Sequence, residues 1–249
     1  MKRYELIDTL RGLAVINMIG FHACWIMNFF GIAVTNEVLY GRAFMVWERF
    51  ICIPFIVIAG YCFSLSRRPL KNGLTVFGTG LVITVATCLF LPDIRIVFGV
   101  LTCIGSMTLL MIPFDRLLKG FSEGTRTAAC VGLIISLMLF LAAYKINDGY
   151  LGFSAAKLML PQTLYRGYAS TFIGFKDPSF YSADYFSLIP WLFLYMSGYF
   201  LHKVIRGSEF EGKVLIHGIP GINIIGKHSL PIYVIHPIVL FIIFWFFRQ

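Results

Sequence analysis

Asp8, Arg11 and His22 fall inside a single apolar stretch, IDTLRGLAVINMIGFHACW. A charged side chain at bilayer depth costs about 2.5–3.5 kcal/mol on insertion scales, so its presence there points to a role. Arg11 and His22 stand eleven positions apart, which is about three full helical turns, or about 16 Å along the axis. They therefore share one stripe, with Val15 and Met18 between them. Asp8 and Arg11 have the spacing of an intrahelical ion pair. A neutral imidazole oriented by a carboxylate can take the proton from a hydroxyl or amine that attacks an acyl carbonyl, and histidine's ordinary pKa of about 6.5 suits the task. Glu48 and Asp184 stand at the ends of later spans where such a carboxylate is needed. The bland alternative for His22 is a core histidine satisfied by Asn17 or a backbone carbonyl.

Phosphate chemistry has its own candidates. Arg11 and the adjacent Arg67 and Arg68 of SRRP carry the planar fork that matches phosphate oxygens. A phosphorylated carrier such as coenzyme A fits that set, although Arg67 and Arg68 also read as plain membrane-edge anchors. Arg95, before the fourth span, is placed to polarise a carbonyl.

The elements that must position these groups are membrane helices. Of 249 residues, 58% are hydrophobic and only 13% charged, with mean hydropathy +0.81; soluble domains carry about 25% charged residues. The predicted fold is all-α, a polytopic helical bundle in one domain over 1–249. Its seven spans are read at roughly 10–30, 47–66, 74–91, 96–114, 127–146, 186–204 and 229–247, each long enough for the ~30 Å hydrocarbon layer. Gly78, Gly80 and Thr84 interrupt the third, and a PDIR turn joins it to the fourth as an antiparallel hairpin. Lys2, Arg3, Arg11, Arg67, Arg68, Lys71, Arg116, Lys119, Arg126, Lys203, Arg206, Lys213 and Lys227 fall on or near one side of these spans, against Arg42, Arg49, Arg95, Lys145, Lys157, Arg166, Lys176 and Arg248 on the other, a balance that predicts a cytoplasmic N-terminus. The net charge of +9 is thereby a matter of topology; anionic lipid headgroups are the expected partner and nucleic acid is not. MKR before an apolar stretch imitates a signal peptide, but the stretch is too long and too polar, and it is expected to be retained. The six cysteines lie in the spans without metal spacing and read as packing residues; no metal is expected.

Two further features carry information. The longest segment outside the spans, 147–185, is rich in tyrosine and phenylalanine with Gln162, Arg166, Lys176 and Asp184 interleaved. Such rings form either a headgroup belt or a stacking surface for a sugar-like acceptor. Pro54, Pro190 and Pro237 fall inside spans 2, 6 and 7, where each removes a backbone donor, and Pro237 directly follows a second intramembrane histidine, His236. GIPGIN before the last span reads as an irregular or re-entrant turn.

Five segments in order, IDTLRGLAVINMIGFHACW, ERFICIPFIVIAGYCFSLS, IRIVFGVLTCIGSMTLL, DYFSLIPWLFLYMSGYFL and GKHSLPIYVIHPIVL, resemble a bacterial membrane family similar to the catalytic domain of heparan-alpha-glucosaminide N-acetyltransferase. The start is also similar to the broader transmembrane acyltransferases, whose first helix reads D-x-x-R-[GA] with a histidine eleven residues after the arginine. The resemblance implies that His22 is the base in acyl transfer from acetyl-CoA to a sugar, and that Arg11 lies on the donor side. The heparan-modifying enzymes hold their histidine in a His-Trp-Asn context; here it is His22-Ala-Cys-Trp25, with Asn28 further on.

The resulting expectation is a multi-pass protein of the bacterial inner membrane. It moves an acetyl group from cytoplasmic acetyl-CoA, its co-substrate, to a hydroxyl or amino group of a saccharide at the outer face. Arg11, Arg67, Arg68, His228 and Ser229 bind the donor. Arg95, Trp191 and His236 contact the substrate, and Glu48 or Asp184 orients His22. A homo-oligomer is compatible with the reading. Two other readings stay open. A transporter or flippase of a small polar or lipid-linked solute would also line a path with His, Arg and Asp, and flux without acetyl transfer would identify it. A membrane scaffold would tolerate apolar replacement of Asp8, Arg11, His22 and His236.

Overall fold

Leucine, isoleucine, methionine and alanine dominate the first apolar stretch, and the exposed positions fall at Leu10, Leu13 and Ile16 while Ile7, Asp8, Gly12, Ala14, Val15 and Met18 are buried. That is the period of a helix with one face to lipid and one to protein. In the computed structural model this helix, α1, runs Glu5–Phe29, with the acids Glu5 and Asp8 in the first turn, where the helix dipole favours them. The structure describes residues 4–122, 125–153 and 156–248; Lys2, Arg3 and the Lys119 side chain, counted among the charges above, lie outside them.

The helices that follow are α2 (Asn36–Leu39), α3 (Arg42–Leu65), α4 (Pro69–Phe90), α5 (Val100–Ser122), α6 (Arg126–Ala143), α7 (Gly167–Ile173), α8 (Leu188–Ile205), α9 (Glu209–Lys213), α10 (Ile222–Lys227) and α11 (Ser229–Phe247). A two-residue hairpin, β1 (Tyr150–Leu151) against β2 (Leu158–Met159), pairs Tyr150 with Met159 and Leu151 with Leu158. Among the described residues seven helices are long and apolar enough to cross a membrane: α1, α3, α4, α5, α6 with its extension to Asp148, α8 and α11. The protein is a multi-pass helical membrane protein.

Contacts gather the chain into two compact units, Met1–Ile58 with Ile205–Gln249, and Ala59–Val204. In the second unit α4 and α5 form the expected hairpin, turned by a short 3-10 segment at Pro92–Ile94. Gly80, one of the glycines that interrupt α4, has a packing reason. A Cβ on Gly80 would stand 2.6 Å from the Thr102 nitrogen, and one on Gly105 of α5 would stand 2.5 Å from the Phe77 nitrogen. Small residues let membrane helices approach closely where burial of apolar surface from water supplies no force.

Pro54 and Pro237 are inside α3 and α11 as expected. Pro190 is not a mid-span kink. Ile189 is extended at φ −97°, ψ 131°, so the regular part of α8 begins at Pro190 itself, after a cis Ile189–Pro190 bond. The residue before proline is disfavoured in the helical region, and proline is well tolerated in a first turn.

In the first unit the stretch after α9 turns through Gly221 at φ +86° into α10. This short helix lies directly on α1: a Cβ on Gly226 would stand 1.8 Å from the Asp8 carbonyl oxygen, and one on Gly12 would stand 2.1 Å from the Ile222 carbonyl oxygen. Gly226→Val is therefore expected to destabilise the protein by about 1–3 kcal/mol or more through overpacking. Gly78→Ala, whose Cβ meets open space, should be neutral or slightly stabilising. Thermal unfolding of the two variants in detergent checks the contrast.

Candidate active site

The buried face of α1 is polar at its start and apolar further on. Asp8 is 7% exposed and pairs with Arg11, Oδ1 to Nη1 at 3.5 Å. Thr9, fully enclosed, donates to the Glu5 carbonyl at 3.0 Å and accepts from the Ile219 amide at 3.0 Å. The Leu6 amide donates to the Leu215 carbonyl at 3.1 Å. Two backbone groups of the irregular 215–221 stretch, the Ile219 amide and the Leu215 carbonyl, are thus satisfied by α1. Beyond Gly12, Val15 and Met18 pack with Ile51 of α3, flanked by Trp47, Ile225, Ile232 and Tyr233. This is the stripe predicted between Arg11 and His22.

At the end of that stripe the structure brings two histidines together. The rings of His22 and His236 are 5.0 Å apart between centroids at an interplanar angle of 63°. Phe21 stands edge-on to His22 at 5.8 Å, and Tyr233 edge-on to His236 at 5.8 Å. His236 is 6% exposed; its Nδ1 lies 3.0 Å from the Ile232 carbonyl oxygen. Its Nε2 is buried and has no hydrogen-bond partner among the described residues. Placed only a third of the way into the last span, His236 was not expected opposite His22. The reason is α10. Because that helix covers the first two turns of α1, α11 starts beside the third turn rather than at the end of α1, and seven residues later His236 is level with His22.

Asn17, the alternative partner for His22, is committed elsewhere: it accepts from Trp47 Nε1 at 3.1 Å and donates to the Leu13 carbonyl at 2.9 Å. Glu48 is partly exposed and its carboxylate is 3.6 Å from Arg49. His228 caps α11 at the surface, with its amide on the Ile224 and Ile225 carbonyls, and Ser229 follows as the first residue of that helix.

In the second unit, Asp184 accepts from the Val100 amide at 3.1 Å and so satisfies an orphan donor at the start of α5. Arg95 lies before that helix rather than in it, its guanidinium 5.8 Å from the Tyr181 ring centre. Trp191 is 4% exposed, packed between Phe140 and Phe186 at 5.7 and 5.1 Å, which is the setting of a core residue. Arg67 and Arg68 are exposed in the turn before α4, with the Arg68 amide on Ser66 Oγ at 3.3 Å.

Most rings of 147–185 face inward. Phe98, held at φ +57°, stacks on Phe180 at 5.7 Å and meets Phe172 at 5.1 Å. The Tyr185 hydroxyl donates to the Thr171 carbonyl at 2.6 Å, and Tyr165 to the Ile146 carbonyl at 2.6 Å; burial raises both phenol pKa values. Tyr168, at 66%, and Tyr181, at 49%, stay open. Sequence reasoning also missed a polar group between α5 and α8. Tyr199 donates to Asp115 at 2.6 Å, Lys203 lies 4.5 Å from the Tyr199 ring centre, and Tyr61 meets His202 edge-on at 5.0 Å. The available signal was the run SGYFLHK, with two hydrogen-bonding aromatic or imidazole groups in one span.

Asp177 organises the loop under α7. Its carboxylate accepts from the Gly167 amide at 2.6 Å and from the Ser179 amide and hydroxyl at 2.9 and 2.7 Å. The Gly167 amide, then Ser179, hold its pKa down at about 2. A carboxylate depressed on folding contributes stability that is complete above its unfolded value of about 3.9 and vanishes as pH falls through the folded one. Exchange protection of the Gly167 and Ser179 amides should therefore persist at pH 4 and be lost toward pH 2, and Asp177→Asn should weaken it already at pH 7. Hydrogen exchange with mass-spectrometric readout checks both.

Comparisons with known proteins come to one result. A search of curated proteins returned no match, and neither did a search of solved structures. The family model for the catalytic region of heparan-alpha-glucosaminide N-acetyltransferase matches residues 3–238, which takes in α1, the Asp8–Arg11 pair, His22 and His236. A membrane protein built on this helical plan, with an imidazole pair at the end of its polar first-helix stripe, belongs to the heparan-alpha-glucosaminide N-acetyltransferase catalytic family.

Proposed function

We propose that this chain transfers an acetyl group from acetyl-CoA to a hydroxyl or amino group of a saccharide, with His22 as the proton acceptor. The observation that carries the reading is the buried stripe of α1. A cation held by Asp8 lies at one end of it, and an imidazole faced by a second imidazole lies at the other. With the N-terminus in the cytoplasm of a bacterial cell, Arg11 is on the donor side and His22 toward the outer face. In the first unit Arg11, His228 and Ser229 are the groups that would meet the phosphates and pantetheine of the donor. Arginine suits those phosphates by its fork geometry. The acceptor is a cell-envelope glycan or small glycoside.

The reaction balances within the site. His22 takes the proton of the acceptor O–H or N–H as that atom attacks the thioester carbonyl. The new C–O or C–N bond forms, the C–S bond breaks, and the imidazolium returns its proton to the departing thiolate. General-base catalysis of this type contributes about 10²–10⁴-fold.

A second reading draws on one observation: α10 and α11 form a broken helix beside α1, an arrangement transporters use to bind solutes at mid-membrane. Solute flux in proteoliposomes without acetyl transfer would favour it.

The primary test measures transfer of labelled acetyl from acetyl-CoA to sugars in membranes. His22→Ala is expected to lose on the order of 10²–10⁴ in turnover, while acetyl-CoA still raises the melting temperature of the detergent-solubilised variant, as a ligand selective for the native state must. Full turnover in His22→Ala removes that residue from the role.

A further inference from the structure

The lone pair of a histidine is usually assigned by guesswork; here the surroundings of His236 leave one choice. A carbonyl oxygen only accepts, so the 3.0 Å contact of Nδ1 with the Ile232 carbonyl places the ring proton on Nδ1 and the lone pair on Nε2. That Nε2 is buried and has no partner among the described residues. An orphaned buried acceptor is costly and rare in native proteins, so its persistence calls for a use. Two groups able to carry a proton stand at the ring. His22, on α1, is 5.0 Å away between centroids. Tyr233, one turn earlier on α11, is at 5.8 Å.

We propose that His236 is the positioning residue for His22: its Nε2 accepts from the ring N–H of His22 and so fixes which His22 nitrogen is left bare for the acceptor substrate. The proposal rests on the reading of His22 as the base. In apo structures catalytic hydrogen bonds are often long and tighten on substrate binding. The work expected of Glu48 or Asp184 then falls to a neutral group. In the transfer step His22 receives the acceptor's proton on its bare nitrogen. The positive charge that develops is shared with the His236 lone pair, and the proton passes back from His22 to the thiolate. His236 itself neither gains nor loses a proton over the cycle.

The test uses the full chain in lipid nanodiscs with 15N-labelled histidine. The five histidines are assigned by single substitution, and ring-nitrogen shifts, which report the tautomer, are read at pH 8. His236 is expected with its proton on Nδ1. His236→Leu should move the His22 nitrogen signals, and His236→Gln, whose side-chain oxygen accepts from a similar reach, should restore them. In the transfer assay His236→Leu should lower kcat on the order of 10²-fold with the KM for acetyl-CoA unchanged, and His236→Gln should recover most of it. Where the leucine variant fails to fold, the glutamine variant and the wild-type tautomer still decide. A proton found on His236 Nε2 overturns the proposal. So does a His22 signal indifferent to His236→Leu, or a His236 Nε2 signal that follows Tyr233→Phe and not His22→Ala. Transfer that needs His22 yet ignores His236 overturns the proposal and spares the proposed function. Absence of any transfer in the wild type overturns both.

Discussion

The close approach of α10 to α1 is the constraint on which the candidate site depends. Glycine at positions 12 and 226 lets each backbone rest against the other's carbonyl oxygen, with no room for a Cβ on either side. That contact fixes where α11 can begin. A chain that entered the membrane at Ser229 from the level of Glu5 would bring His236 opposite Gly12; displaced by about three turns, it brings His236 opposite His22. The polar register of the site is therefore set by two residues that carry no chemistry. Lipid offers little drive for helix association, so positional accuracy of this kind has to come from backbone packing.

The same region shows how the protein keeps polar chain at depth. Thr9 answers the Ile219 amide, the Leu215 carbonyl accepts from Leu6, and Asn223 Nδ2 donates to Glu5 Oε2 at 3.4 Å. Each contact ties a residue of the irregular 215–221 stretch or of the start of α10 to the first two turns of α1. Unsatisfied backbone groups in hydrocarbon cost several kcal/mol each, so the helix that carries Arg11 also serves as the hydrogen-bonding partner of the segment beside it. Asp8 and Arg11 sit within that polar zone, which lowers the cost of holding a charged pair there.

Sequence periodicity made the spans and the α1 stripe legible because both depend on local rules. Apolar run length gives the seven helices, and 3.6 residues per turn puts Arg11, Val15, Met18 and His22 on one face. The pairing of His22 with His236 was not legible, since it depends on how deep α10 sits, which GIPGIN signals only as irregular. Pro190 misled for a local reason: a proline inside an apolar run looks the same whether it kinks a helix or starts one. Only the extended conformation of Ile189 distinguishes the two. Trp191 and the rings of 147–185 showed their chemistry but not their direction. A tryptophan in a span reads alike whether it lines a cavity or, as here, fills a core beside Phe140 and Phe186.

Electrostatics favours an imidazole over a carboxylate as the group behind His22. An ionised acid in a lipid-embedded interior carries a desolvation penalty of several kcal/mol that its partner must offset. A neutral imidazole carries no such penalty and still offers one strong acceptor in a direction set by its backbone contact at Ile232. In the proposed transfer, charge appears only as the acceptor attacks, when the low dielectric makes a ready lone pair most valuable. Asp184 at the head of α5 and Glu48 beside Arg49 sit where acids are well tolerated, at a helix N-terminus and beside a cation.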